Sequence, residues 1–171
     1  MRIRDFNGWL MFFHCDSSYV REATAHFYRK GKHYLLTFGT TGYLPNPSEV
    51  AISDTWHGPY TLQGNPHVND ESNTSFHSQI SSVLKVEGKK DLYIACADRW
   101  LPNEMHRPYN VYQEMFEEIF QGREDEFDFS KMGDYPVEYT SIADYVWLPI
   151  RFEDEKVFID WHDEWTLEDY E

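Results

Sequence analysis

The stretch Ala25-His26-Phe27-Tyr28-Arg29-Lys30-Gly31-Lys32-His33-Tyr34-Leu35-Leu36-Thr37-Phe38 decides the fold class. Two runs of strand-favouring aromatic and aliphatic residues flank Lys30-Gly31-Lys32, and that arrangement predicts a β-hairpin. Reading outward, Glu49-Val50-Ala51-Ile52-Ser53 forms a third strand, reached through a loop holding Gly39, Gly42, Pro45 and Pro47. Trp56-His57-Gly58-Pro59-Tyr60 turns the chain again. A second set starts with Gln79 to Val86, turns at Gly88-Lys89-Lys90 and returns along Asp91 to Cys96. Tyr145 to Arg151 and Lys156 to Trp161 form a last pair, turning at Glu153-Asp154-Glu155. Short strands joined by tight turns predict an all-β sandwich, barrel or propeller.

One segment departs from this pattern. Val111, Met115 and Ile119 recur at helical spacing, with Tyr112, Phe116 and Phe120 beside them. Asn110 is the expected N-cap and Gly122 the expected C′ residue, giving a helix over about 111–121. It lies within an insertion at about 101–143 that separates two strands expected to be neighbours. Residues 1–171 are read as one domain, with the insertion on its outside or over a rim.

A chain of 171 residues that is 41% hydrophobic is expected to fold around a core of its own. The aromatic share is high, at 18%, with six Trp, twelve Tyr and twelve Phe. Strands favour aromatic residues, and flat apolar rings also serve as stacking platforms for sugars. The formal charge is −15, from thirty acidic and fifteen basic residues, and no Lys/Arg-rich run offsets it. That field repels nucleic-acid phosphates and anionic membrane surfaces, so neither is an expected partner. The acidic stretches 123–134 and 152–171 read as solvated surface.

Cys15 and Cys96 sit in apolar runs and read as buried free thiols. No Cys/His spacing suggests zinc. The apolar stretch Trp9 to Phe13 is too short for a signal sequence, and no run approaches transmembrane length. The chain therefore reads as cytoplasmic, although a longer parent protein would be free to be secreted.

So many acidic residues make carboxylate pairs common, and position has to decide which of them does proton chemistry. Glu22 stands out because it enters an apolar strand between small residues, in Arg21-Glu22-Ala23-Thr24-Ala25. Partial burial there would raise its pKa toward the range of a general acid. The competing reading is a strand-end ion pair with Arg21 or a neighbour, and on chemistry alone that reading is the stronger.

Several blocks in one order change the weighting. They are Arg21 to Phe27, Lys30 to Leu35, Thr41-Gly42-Tyr43-Leu44-Pro45-Asn46 and Gly58-Pro59-Tyr60. Ser75-Phe76-His77-Ser78-Gln79 follows, then Tyr93 to Trp100 ending in Ala97-Asp98-Arg99-Trp100, then Tyr145-Val146-Trp147-Leu148-Pro149. Together they resemble glycoside hydrolase family 43, in the branch containing exo-β-1,3-galactanases. The resemblance covers about residues 19–100 and 144–165 and leaves out the insertion.

The resemblance implies a five-bladed β-propeller that hydrolyses glycosides with inversion at a central funnel. Glu22 maps onto the general acid. Gln79 maps onto a glutamine near the attacking water; an amide is a poor base, so its part would be to position the water or relay a proton. Thr41 and Asn46 map onto the loop lining the sugar pocket, where Tyr43 takes the place of a common Trp and stacks on a sugar face. Asp98, Arg99 and Trp100 complete the expected substrate-binding set, with Trp100 sharing the pocket floor and Asp98 held in reserve as a second acid. Thr24, His26 and His77 depart from the family pattern, standing in place of a Pro, an apolar residue and a Gly. No cofactor is expected; calcium is left open by the resemblance and has no support in the residues.

Length is the largest departure. Blades of about 40 to 50 residues would make five of them roughly 200 to 250 residues. The chain without its insertion supplies about three blades by the same rule. The expectation is thus a partial propeller resembling the C-terminal part of the enzyme, weakly active or inactive alone. A complementary N-terminal piece or self-association would cover its open strand edges. The alternatives are a non-catalytic or degenerate carbohydrate-binding protein and a purely structural all-β fold.

Overall fold

The expected hairpin is present in the computed structural model, which describes residues 21–123, 125, 128, 130 and 140–171. β1 (Arg21–Arg29) and β2 (Lys32–Gly39) pair antiparallel. Lys30 and Gly31 turn between them with φ of 47° and 85°, a left-handed pair matching the twist of the strands. β3 (Glu49–Ser53) and β4 (Thr61–Gly64) complete a sheet in the order β1-β2-β3-β4. The second sheet runs β5 (Gln79–Lys85), β6 (Tyr93–Arg99), β7 (Asp144–Glu153) and β8 (Lys156–Ile159), also as an antiparallel meander. The all-β architecture thus holds. Two four-stranded sheets are present among the described residues, and the expected count of about three blades is not confirmed by them.

Strand alternation sends one face of each sheet into a shared core. Ala25, Phe27, Tyr34, Leu36 and Val50 of the first sheet meet Ile80, Tyr93, Ala95, Val146, Leu148 and Ile159 of the second. Phe27 stacks on Tyr34 with ring centroids 4.6 Å apart. Burying each such side chain is worth about 1.5–3 kcal/mol. The core brings β1 and β5, the first strands of the two sheets, side by side.

Two polar clamps at the margin of that core also join the sheets. Buried Arg29 donates from Nε and Nη2 to the two carboxylate oxygens of Asp91, at 2.8 and 2.6 Å, and its guanidinium lies 3.8 Å from the Phe152 ring centroid. Gln63 donates to the Val157 carbonyl at 2.6 Å and accepts from the Val157 amide at 2.9 Å. β4 is therefore tied to β8, although its sequence carries no strand alternation.

The helix α1 spans Asn110–Phe120. Asn110 is its first helical residue rather than its cap, because buried Tyr109 already has helical angles and its amide donates to the Ser72 carbonyl at 2.9 Å. Gly122 ends it as expected, at φ 68°. Tyr112 and Met115 of α1 pack with Leu44 and Leu101, and Trp100 and Phe116 lie against this cluster. The helix thus packs on the loop that carries Leu44 and on Leu101. Cys96 is free and half-buried, and burial pushes its thiol pKa up; Cys15 lies outside the described residues. Among the described residues no helix is long and apolar enough to cross a membrane.

Candidate active site

Glu22 directly precedes a β-bulge, and Gln79 lies two residues before another. In β1, Glu22 is opposite Phe38 and Ala25 is opposite Leu36, so Ala23 and Thr24 together face one residue of β2, and Ala23 takes φ 48°. In β5, Gln79 is opposite Asp98, and the register shifts between Ile80 and Ser82. Bulges bend a strand and re-aim the side chains beside them. Both fall at the start of the two adjacent first strands.

Gln79 accepts a hydrogen bond from the Trp100 indole, Nε1 to Oε1, at 3.1 Å. The Trp100 ring meets Tyr43 edge-on at 5.5 Å, and Tyr43 is 40% exposed. Gln79, Asp98, Trp100 and Tyr43 line one cleft, together with His77 and Phe38. Its cavity volume is about 10 Å³, close to the space one water molecule needs. Glu22 is the register partner of Phe38, which lines the cleft, and is exposed on its strand without lining the cleft itself. It has no hydrogen bond or ion pair to another described residue, and partial desolvation raises its carboxyl pKa above the usual range. The strand-end ion pair belongs instead to Arg21 and Glu49, at 3.6 Å.

Three expected site residues are placed differently. Thr41 and Asn46 are each 1% exposed and spend their polar atoms inside their own loop. Asn46 donates from Nδ2 to the Thr41 hydroxyl at 2.5 Å and to the Gly39 carbonyl at 2.9 Å, and its Oδ1 accepts from the Gly39 amide at 2.8 Å. A Cβ on Gly39 would come within 3.2 Å of the Asn46 amide carbon, so glycine is what admits this clamp. The pair builds the loop that presents Tyr43. Arg99, one residue after Asp98 in the same strand, points to the other face of the sheet. There it donates to the Phe76 carbonyl at 2.9 Å and lies 5.6 Å from the Trp161 ring centroid.

The segment before Gln79 is strained. Ser75, Phe76 and His77 all take positive φ, at 55°, 56° and 54°. A left-handed turn of ordinary residues costs about 1–2 kcal/mol per residue. Asp70 compensates: it accepts from the Thr74 amide at 2.8 Å, the Phe76 amide at 3.3 Å and the Ser72 hydroxyl at 2.6 Å. The Ser75 hydroxyl donates to the Asn46 carbonyl at 2.9 Å, locking this turn to the Tyr43 loop. The turn presents His77, 9% exposed, in the wall of the cleft, and its Nδ1 has no hydrogen-bond partner among the described residues. Among the described residues there is no group of three or more His, Cys, Asp or Glu that could hold a metal ion.

The two four-stranded antiparallel meanders match part of the fold of solved glycoside hydrolases. The chain resembles glycoside hydrolase family 43 in its β-1,3-galactosidase and galactanase branch, the likeness that its sequence blocks carry. One solved relative is a family 43 β-1,3-galactosidase, 26% identical with a TM-score of 0.63, over 88% of this chain and 24% of that one. A second β-1,3-galactosidase of the family, solved with galactodeoxynojirimycin, is 24% identical with a TM-score of 0.61, over 86% of this chain and 32% of that one. The exo-β-1,3-galactanase of Phanerochaete chrysosporium, solved with β-1,3-galactotriose, has a TM-score of 0.52 at 18% identity, over 81% of this chain and 23% of that one. The chain thus spans about a quarter to a third of the length of these relatives. No family model and no curated protein matches the sequence.

Proposed function

We propose that the chain is a glycoside hydrolase-like protein acting on β-linked galactose-containing glycans by inverting, acid-assisted hydrolysis. The observation that carries this reading is the single cleft shared by Gln79, Trp100 and Tyr43, with Glu22 across from its Phe38 wall. Glu22, its pKa raised by desolvation, protonates the departing glycosidic oxygen. Gln79, its Oε1 fixed by the Trp100 indole, orients the attacking water. Tyr43 and Trp100 supply ring surface for the sugar, and Thr41 and Asn46 hold the loop that presents Tyr43. The names of the solved relatives favour a galactose unit and a β-1,3 linkage. With only part of such an enzyme's length in hand, turnover by this chain alone is expected to be weak. A complementary propeller piece or a second copy is the expected protein partner.

Hydrolysis of an aryl β-galactoside tests this reading. Glu22→Gln should lower turnover at least about 100-fold, the usual share of general acid catalysis. Substrates with very acidic leaving groups should suffer less, because they need little protonation. Unchanged turnover on a poor leaving group would remove Glu22 from the mechanism.

A further inference from the structure

We propose that His26 and His33 form a two-imidazole chelate for a late first-row divalent cation, of the Cu(II) type, on the outer face of the first sheet. This goes beyond the glycosidase reading, and neither residue lines the Gln79 cleft. His26 of β1 is paired in register with Leu35 and Tyr28 with His33, so the two histidines are diagonal neighbours on one face of the hairpin. Strand alternation turns that face away from Phe27 and Tyr34, which fill the shared core. The His26 Nε2 and the His33 Nδ1 are 3.1 Å apart, and the ring planes differ by 26°. Both residues are half-buried, and Trp56 meets their rings edge-on, at centroid distances of 4.2 and 5.7 Å. Tyr28 flanks His33 at 4.9 Å. Two paired strands and two aromatic neighbours thus hold the nitrogens together before any ligand arrives.

The spacing suits a metal. With metal–nitrogen bonds of about 2.0–2.1 Å, two imidazole nitrogens stand about 2.9 Å apart at a right angle and about 3.4 Å apart at a tetrahedral angle. Without metal, one ring donates its N–H to the lone pair of the other, and a single hydrogen lies between them. On binding, the donor ring passes that hydrogen to its other nitrogen by exchange with solvent. Each ring then turns about its Cβ–Cγ bond to aim its lone pair at the cation. Burial, and after it the charge of His33, hold the His26 pKa below its usual 6.5, so this ring is neutral near pH 7 and able to ligate. Imidazole nitrogen suits Cu, Ni and Zn rather than Mg and Ca, and Cu(II) binds tightest in that series. Among the described residues no third His, Cys, Asp or Glu joins the pair. The chain therefore fills two neighbouring positions and water fills the rest, which the tetragonal geometry of Cu(II) accepts.

Titration of the full chain with Cu(II) tests this, read by quenching of Trp56 emission and by electron paramagnetic resonance. The parent chain should take up its first equivalent with quenching of Trp56, which touches both rings, and with a spectrum split by two coordinated nitrogens. His26→Asn and His33→Asn should each weaken that binding about 100-fold, the lower end of what linking two ligands contributes. The double variant should lose little more, because either single change already breaks the chelate. Trp56→Phe should keep the affinity and the two-nitrogen spectrum while removing the fluorescence change. Both histidines lie on the outer face of the sheet, so the substitutions leave the core intact, and the two variants test the pair independently. Unchanged affinity in either single variant overturns the chelate. So does a parent chain without saturable Cu(II) binding, or one whose Cu(II) is displaced by an equal concentration of Mg(II).

Discussion

Glu22, Gln79 and His77 hold their positions through backbone irregularities: a bulge after each of the first two, and three left-handed residues ending at the third. The brace for the last is Asp70. Removing its carboxylate as Asp70→Ala leaves the Thr74 and Phe76 amides short of their acceptor, and hydrogen bonds to charged groups are worth about 1.5–3 kcal/mol each. Chemical denaturation should show a loss of about that size. A loss within about 0.5 kcal/mol, the range of ordinary surface substitutions, would mean that the turn holds itself. Tyr43 and Trp100 form the only aromatic pair in the cleft lining described, and replacing either by Ala should weaken β-1,3-galactobiose binding about tenfold by titration calorimetry, some 1.4 kcal/mol. Identical affinity in both variants would place the sugar elsewhere. The sequence made Glu22, Gln79, Tyr43 and Trp100 legible as blocks in an order. It left Thr41 and Asn46 as pocket-lining, because motif position does not reveal that their polar atoms are consumed by the Gly39 clamp. Arg99 was readable in principle: next to Asp98 on a strand, it had to face the other way. His77 entered only as a departure from a glycine, the one sequence sign of a positive-φ position.

Strands with a turn signature were legible in the sequence, and the one without was not. Lys30-Gly31-Lys32 and Gly88-Lys89-Lys90 announce their hairpins, whereas β4, Thr61-Leu62-Gln63-Gly64, is held by the Gln63 clamp to Val157 across the molecule. Asp91 was read as the start of a strand, yet it sits before β6 at φ 60° to meet Arg29. Hydrogen bonds from Arg29 hold its carboxyl down at about 2, against its ordinary 3.8. Because the folded value is depressed, this stabilisation is fully present above about pH 4 and is lost as pH falls toward 2. Its size is on the order of 1–2 kcal/mol, since solvent screens a partly exposed carboxylate. Denaturation midpoints from pH 6 to pH 2 should therefore fall more steeply for the parent chain than for Asp91→Asn. Parallel curves would show that the clamp contributes nothing to acid stability.

At the scale of the molecule, each sheet gives one face to the common core and leaves aromatic residues on the other. Tyr28 and Trp56 are 56% and 53% exposed beside the first sheet, and Tyr145 and Trp147 are 68% and 53% exposed on the second. Apolar surface of this kind draws partners. Light scattering should find the isolated chain larger than a monomer, and Trp147→Glu should shift it toward one; a parent chain that is monomeric at all concentrations would contradict this. The account as a whole rests on a galactose unit binding against Tyr43 and Trp100 at the mouth of this water-sized cleft, and titration calorimetry with β-1,3-galactobiose and xylobiose on the full chain tests that most directly. The account predicts tighter binding of β-1,3-galactobiose, weakened by Trp100→Ala, and equal or tighter binding of xylobiose would contradict it.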